Sequence, residues 1–292
     1  MKIVRIIGGL GNQLFQYALL IALKKMTNDD VKIDLSAMSS YNRHNGFELN
    51  DIFNLTASIA TKEEVKRLGR YYTSFRQWQI CHHLFPWWRK EFVERKFYKY
   101  YPQVLTDANN DTIYDGYWQY YKYFDFAREE ILKEYSYKHD FSKVNEDLSK
   151  QMLADNKSVS IHIRRGDYLK SKEYKGICEL DYYQRAITKL REVIGENANV
   201  YIFSNDIKWC KANIFPILAH EKVTFIDWNV GKESYNDMRL MHYCRVNIIA
   251  ASSFSWWGAY LNQREDKIVI APKKWINLPM EYEIPLPDWI KV

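Results

Sequence analysis

The chain has 292 residues, 47% hydrophobic and 27% charged, and 42 basic against 36 acidic side chains leave a net charge of +6. This is the balance of a soluble protein long enough for two lobes. It is too mildly basic for a nucleic-acid binder but suits an anionic ligand or an anionic membrane surface, and no segment approaches the roughly 18 apolar residues of a spanning helix.

The N-terminus reads strand, turn, helix, strand: KIVRII, then GGLGNQ, then LFQYALLIALKKM, then VKIDL. This is a βαβ opening, and the short apolar run meets the glycines too soon to be an export signal. From Thr61 to Tyr101 the chain turns basic and aromatic and reads as helical. GYWQYYKYF (Gly116 to Phe124) follows, then a helix over 124–134. The polar stretch 138–156 reads as a helix plus linker, and the boundary between two lobes is set at 150/151.

The second half alternates more cleanly. SVSIHI is a strand, DYYQRAITKLREVI a helix with Asp181 as its N-cap, NVYIFS and KVTFID strands, ESYNDMRLMHYC a helix, VNIIAA a strand, SFSWWGAYL a helix start and KIVIAP the last strand. Strands alternating with helices imply parallel sheets with ligands at their carboxyl ends. The four cysteines (Cys81, Cys178, Cys210, Cys244) are widely spaced and read as reduced core thiols of a cytosolic protein. The 16% aromatic content suits sugar stacking as well as core filling.

Three places carry candidate chemistry. In GGLGNQ, glycines between a strand and a helix let the backbone approach a phosphate or sugar, and Gly11, Asn12 and Gln13 stand at the helix start. A dinucleotide fingerprint is half met: Gly9 and Gly11 fit, Leu14 replaces the third glycine, and Asp34 stands where a ribose-binding acid would. An NAD-dependent enzyme and a ligand-free tight turn both stay open on these residues.

The second place is HIRRGD. Strand alternation puts His162 and Arg164 on one face, with Ile161, Ile163 and Arg165 on the other, and Gly166 breaks the strand. Arg164 can clamp a phosphate with two parallel hydrogen bonds. Arg165 reads as structural, and Asp167 can hold either arginine; a ligand-free salt-bridge cluster is the competing reading. Third, VNIIAA delivers Ser252, Ser253, Phe254 and Ser255 to a helix start, where free N–H groups and the helix dipole favour an anion, although serine capping alone would also explain them. Asp237 lies in the preceding helix. Its carboxylate can accept from both N1–H and the 2-amino group of guanine, a pairing that adenine does not offer. Together these residues describe a nucleoside-diphosphate pocket in the second lobe. A non-catalytic carbohydrate binder explains the aromatics alone, and a nucleic-acid binder only the basic stretch.

GGLGNQLFQYA, HIRRGDY and SSFSWWGAYL, in this order and over essentially the whole chain, resemble the α-1,2-fucosyltransferases of glycosyltransferase family 11, and GYWQYYKYF resembles that family's GYFQ-type element. The resemblance implies an α/β, GT-B-like fold of two Rossmann-type lobes facing a central cleft, with residues 1–150 on the acceptor side and 151–292 binding GDP-fucose. It implies inverting transfer of fucose to the 2-hydroxyl of a terminal galactose on a glycan, another GDP-sugar or linkage being the alternative. It also implies that Arg164 binds the donor's β-phosphate, that His162 lies near the guanosine, and that Asp237, sixteen residues ahead of Ser253, reads guanine. No D-x-D motif is present, so no metal is expected and Arg164 takes its place. Asp167 is the candidate general base, with holding an arginine as its other role. Vertebrate members carry a membrane anchor and stem; this chain shows neither and so looks bacterial and cytoplasmic. The basic aromatic stretch 70–101 could contact a membrane surface peripherally or simply fill a core.

Overall fold

The run KIVR forms β1 (Lys2–Arg5), buried at every residue although cations stand at both ends. Each cation is neutralised where it is buried: Lys2 by Asp29, Arg5 by Asp34 and Asp115 at 3.0 and 2.9 Å. In the computed structural model the described residues are 1–38, 45–69, 90–108, 110–279 and 282–292. Helix α1 (Leu10–Thr27) ends on Asn28 in the left-handed region, which asparagine tolerates, and returns the chain to β2 (Val31–Asp34), parallel to β1. Helix α2 (Lys62–Gly69), β3 (Glu91–Val93) and β4 (Thr112–Asp115) complete a parallel sheet in the order β2-β1-β4-β3.

The helical expectation for 61–101 holds for α2 only. Residues 70–89 lie outside the described residues, and Glu91–Val93 is a strand, paired in register with Ile113–Asp115. Here ladder hydrogen bonds to a distant segment override local propensity. The helix expected over 124–134 begins at Arg128 (α3, Arg128–Glu134), after two short 3₁₀ turns.

The chain divides into two compact units, residues 1–139 with Glu281–Ile284, and Asp140–Met280 with Pro285–Val292. The second unit begins with α4 (Lys143–Ala154), capped by Ser142. It continues through β5 (Ser158–Ile163), α5 (Leu180–Ile194), β6 (Asn199–Ser204), β7 (Lys222–Ile226), α6 (Tyr235–Met241), β8 (Val246–Ile248), α7 (Ser253–Tyr260), β9 (Ile268–Ala271) and β10 (Ile290–Lys291). All five pairings are parallel, in the order β10-β9-β8-β5-β6-β7. Asp181 is not the cap of α5: the helix begins at Leu180, and Asp181 sits in its first turn, where its bond to Arg185 lowers its pKa.

β5 is buried on both faces, as a central parallel strand must be. Val159, Ile161 and Ile163 pack with Tyr182, Tyr183 and Leu190 of α5. Across the sheet, Phe203, Leu240 and Met241 form a second cluster with Phe254 against it. Cys178, Cys210 and Cys244 are free thiols, Cys81 lying outside the described residues. Among the described residues no helix is long and apolar enough to cross a membrane.

In both sheets the strand order reverses beside the first strand laid down. In the first unit, β1 sends the chain to β2 on one side and is flanked by β4 on the other; in the second, β5 lies between β6 and β8. Parallel sheets bind ligands just beyond the carboxyl ends of strands at such a reversal. That places GGLGNQ with GYWQ at one switch point, and HIRRGD with the serine turn at the other.

Candidate active site

At the second switch point β5 delivers His162 and Arg164 and β8 delivers Ser252 to Ser255. His162 is buried with its ring 5.5 Å from that of Phe254, so the strand end and the start of α7 meet directly. Burial pushes the His162 pKa down to about 3, and the Arg164 charge pushes in the same direction, so the imidazole is neutral at physiological pH. Its Nδ1 is buried with no hydrogen-bond partner among the described residues, a position that asks for a ligand or water.

The two arginines divide their roles. Arg165 lies 3.9 Å over the Trp209 ring, makes ion pairs to Asp206 at 3.3 Å and Glu179 at 3.5 Å, and its backbone N–H donates to Asn205 Oδ1 at 2.9 Å. It is a fixed part of the fold. Arg164 is about a third exposed and holds one carboxylate, Asp167, at 2.9 Å. Its guanidinium also lies 5.6 Å from the centre of the Tyr168 ring. Tyr168 was not singled out from sequence, yet its ring faces the Arg164 guanidinium and stacks on Tyr174 with ring centres 4.3 Å apart.

Ser252 is the N-cap residue of α7, with extended backbone and no side-chain cap bond. Ser255 turns inward, its hydroxyl donating to the carbonyls of Ala250 and Ser252 at 3.3 Å. Ser253 and Phe254 are partly exposed at the helix start. The start of α7 therefore lies against the end of β5, near a cation that among the described residues is paired with one carboxylate. Electrostatically, a helix start and a cation at one place concentrate positive charge there.

Asp237, in the first turn of α6, is half-buried, and desolvation raises its pKa to about 7 against the opposing effect of a hydrogen bond from Asn229. Asn229 Nδ2 donates to its Oδ1 at 2.8 Å.

The first unit is built around its own switch point. Gly8 takes φ +94°, and a Cβ there would meet the Asn12 amide at 2.8 Å, so only glycine fits. Gln13 donates from Nε2 to the carbonyls of Gly8 and Gly46, at 2.9 and 2.7 Å, and accepts from the Glu48 N–H at 3.0 Å. Both of its amide donors thus close the loop. Asn12 differs: Gln119 donates to its Oδ1 at 2.6 Å, and its Nδ2 has no hydrogen-bond partner among the described residues. Gln16 ties Gly116 to the same helix at 3.0 Å. GGLGNQ and GYWQ, 100 residues apart, thus form one structure. Gly11 is buried within α1. Asp34, the residue an NAD site would use for ribose, is buried, accepting from Arg5 Nε at 3.0 Å and from the Ser36 N–H at 2.8 Å. Its carboxylate holds a core arginine. Glu94 was also missed from sequence. Its Oε2 accepts from the N–H groups of Tyr117 and Trp118 at 2.7 and 3.1 Å, and burial raises its pKa to about 7.

Among the described residues no group of three His, Cys, Asp or Glu side chains is placed to hold a metal ion. The profile of glycosyl transferase family 11 matches residues 1–292. The chain belongs to glycosyl transferase family 11. This family 11 enzyme is 32% identical to the O-antigen biosynthesis glycosyltransferase WbnK of Escherichia coli, over 98% of each chain. It is 33% identical to an alpha-1,2-colitosyltransferase of Escherichia coli, over 94% of this chain and 92% of that one. It is 26% identical to the galactoside 2-alpha-L-fucosyltransferase Sec1 of Mus musculus, over 99% of this chain and 73% of that one. Its fold is GT-B-like: fucosyltransferase NodZ from Bradyrhizobium superposes with a TM-score of 0.53 at 14% identity, covering 88% of the family 11 chain and 90% of NodZ.

Proposed function

We propose that the enzyme transfers fucose from GDP-fucose to the 2-hydroxyl of a terminal galactose, with inversion and without a metal ion. The observation that carries this reading is the meeting, at one switch point, of Arg164, neutral His162 and the start of α7. Relatives named as α-1,2-transferases support the linkage.

In this reading the acceptor oxygen attacks the fucose anomeric carbon from the face opposite GDP, the bond from that carbon to the β-phosphate oxygen breaks, and GDP leaves as an anion. Negative charge grows on the β-phosphate. Arg164 and the N–H groups of Ser253 to Ser255 meet it, each well-placed donor being worth about 3 to 4 kcal/mol. His162 lies beside the nucleoside, and Asp237 reads guanine through the oxygen that has no hydrogen-bond partner among the described residues. Residues 151–292 supply the donor side and 1–150 the acceptor side, and the turn of Gly11, Asn12 and Gln13 adds to donor binding, Asn12 through the Nδ2 that has no hydrogen-bond partner among the described residues. Asp167, next to Arg164, takes the acceptor proton as general base.

The test is GDP release from GDP-fucose and lactose in EDTA. We expect release that requires lactose, survives the chelator, and falls at least about a hundredfold in Arg164→Ala. Loss of activity in EDTA would overturn the metal-free mechanism. Asp167→Asn should lose about 10²- to 10⁴-fold; near-full activity would leave Asp167 only its arginine-holding role. The colitosyltransferase relative favours one second reading, a 3,6-dideoxy sugar on the same nucleotide, which turnover of GDP-colitose in place of GDP-fucose would reveal. The reading includes a cytoplasmic enzyme that touches an anionic membrane through residues 70–101, most of them outside the described residues. Failure to sediment with anionic liposomes at low salt would remove that contact.

A further inference from the structure

Asp237 is the end of a chain of hydrogen bonds whose direction is set at the other end. Trp228 Nε1 donates to Asn145 Oδ1 at 2.8 Å, Asn145 Nδ2 donates to Asn229 Oδ1 at 2.8 Å, and Asn229 Nδ2 donates to Asp237 Oδ1 at 2.8 Å. An indole N–H can only donate. It therefore fixes the oxygen of Asn145 towards Trp228 and its amide nitrogen towards Asn229. That in turn fixes the oxygen of Asn229 towards Asn145 and its nitrogen towards Asp237. Neither asparagine is free to flip without setting two donors or two acceptors face to face. Asn145 and Asn229 are 1% and 9% exposed, so water does not readily replace a lost partner. The last member must accept, and one oxygen of Asp237 is held while the other has no hydrogen-bond partner among the described residues.

We infer that Asn145 and Asn229 are positioning residues that hold Asp237 as a one-directional acceptor for the guanine edge of the donor, and so set the choice of base. Neither asparagine touches the nucleotide in this account; both act through Asp237. The inference rests on the reading of Asp237 as the guanine contact. The relay uses three segments: α4 supplies Asn145, the loop after β7 supplies Trp228 and Asn229, and α6 supplies Asp237. An indole donor starting a chain of two buried amides is more than holding a loop requires, because a loop is held equally well by amides of either orientation.

The test compares binding of GDP with binding of inosine diphosphate, which lacks the 2-amino group, by calorimetry on the full chain. The wild type should bind GDP at least about tenfold more tightly, the usual value of one hydrogen bond to a charged group. Asn229→Leu and Asn145→Leu should lose most of that preference, while Asn229→Gln and Asn145→Gln, which keep both an acceptor and a donor at the position, should lose less of it. Asp237→Asn is measured beside them. If Asp237→Asn loses the preference and both asparagine variants keep it, the relay is overturned and the Asp237 reading stands. If Asp237→Asn keeps it, or the wild type has none, the guanine reading fails and the relay with it. Should the leucine variants unfold, Trp228→Phe deletes only the donor that sets the direction, and an unchanged GDP preference in that folded protein overturns the inference.

Discussion

A strand end that offers two adjacent arginines has to say what each one meets, and the structure answers differently for each. Arg165 is held by an indole face and two carboxylates, and Arg164, among the described residues, by one carboxylate, Asp167. Strand alternation in the sequence reads Arg165 as structural; β5 ends at Ile163, before either arginine, and it is the partners of Arg165 that hold it. The sequence could not show the relay behind Asp237, because Asn145 and Asn229 lie 84 residues apart and meet only in the folded chain. Asp237 itself makes a testable statement about pH. Its folded pKa of about 7 lies above the ordinary 3.8, so between about pH 4 and 7 the unfolded chain releases a proton that the folded protein keeps. Stability is therefore lost as pH rises through that window, and is lowest from this source above pH 7. Asp237→Asn removes the burial penalty while keeping an oxygen for Asn229 to donate to. The variant should be more stable than the wild type, and by a larger margin at pH 8 than at pH 5, when melting is followed without nucleotide. An equal margin at the two pH values would mean that Asp237 is not held protonated by its surroundings.

Elements bounded by strong punctuation were legible: glycines after β1, the apolar run of β5, the amphipathic α5. β10, two residues long and beyond the run read as the last strand, went unread, and in the first unit the failures were β3 and β4. Each is three or four residues long, carries no alternation of its own, and exists because it pairs with β1 or with the other. The GYWQ turn after β4 shows what that pairing builds. Trp118 adopts φ +55°, strained for a tryptophan, and Glu94 holds its N–H together with that of Tyr117. Gly116 makes room for this. A Cβ there would meet Glu94 Cβ at 2.4 Å and Oε2 at 2.8 Å, and since Cβ cannot rotate out of the way the β3 end must move. Gly116→Ala should therefore cost about 1 to 3 kcal/mol, a drop of several degrees in melting temperature, and should weaken the Gln119 bond to Asn12 with it. An unchanged melting temperature would show that the turn yields without cost.

At the level of the whole molecule the alternation of strands and helices announced two parallel sheets. The order of strands within each, and so the position of each switch point, came only from the pairing. Each unit has its own sheet and its own core, which has a thermodynamic consequence. A ligand that binds one unit stabilises that unit by mass action, about 2.7 kcal/mol at a hundred times its dissociation constant. If the two cores melt separately, that stabilisation shows in one transition and not in the other. GDP should therefore raise the melting of the second unit by several degrees, with the first unit's transition following only to the extent that the two are coupled. ADP should do much less, because adenine offers Asp237 no N1–H and no 2-amino group. Arg164→Ala should reduce the GDP shift by weakening the phosphate seat while leaving the preference over ADP in place, since the base is read elsewhere. The three results are separable in scanning calorimetry. A shift as large with ADP as with GDP would remove the base reading and keep the phosphate seat. A GDP shift unaffected by Arg164→Ala would move the phosphate away from the end of β5, and no shift with either nucleotide would remove the donor assignment from the second unit altogether.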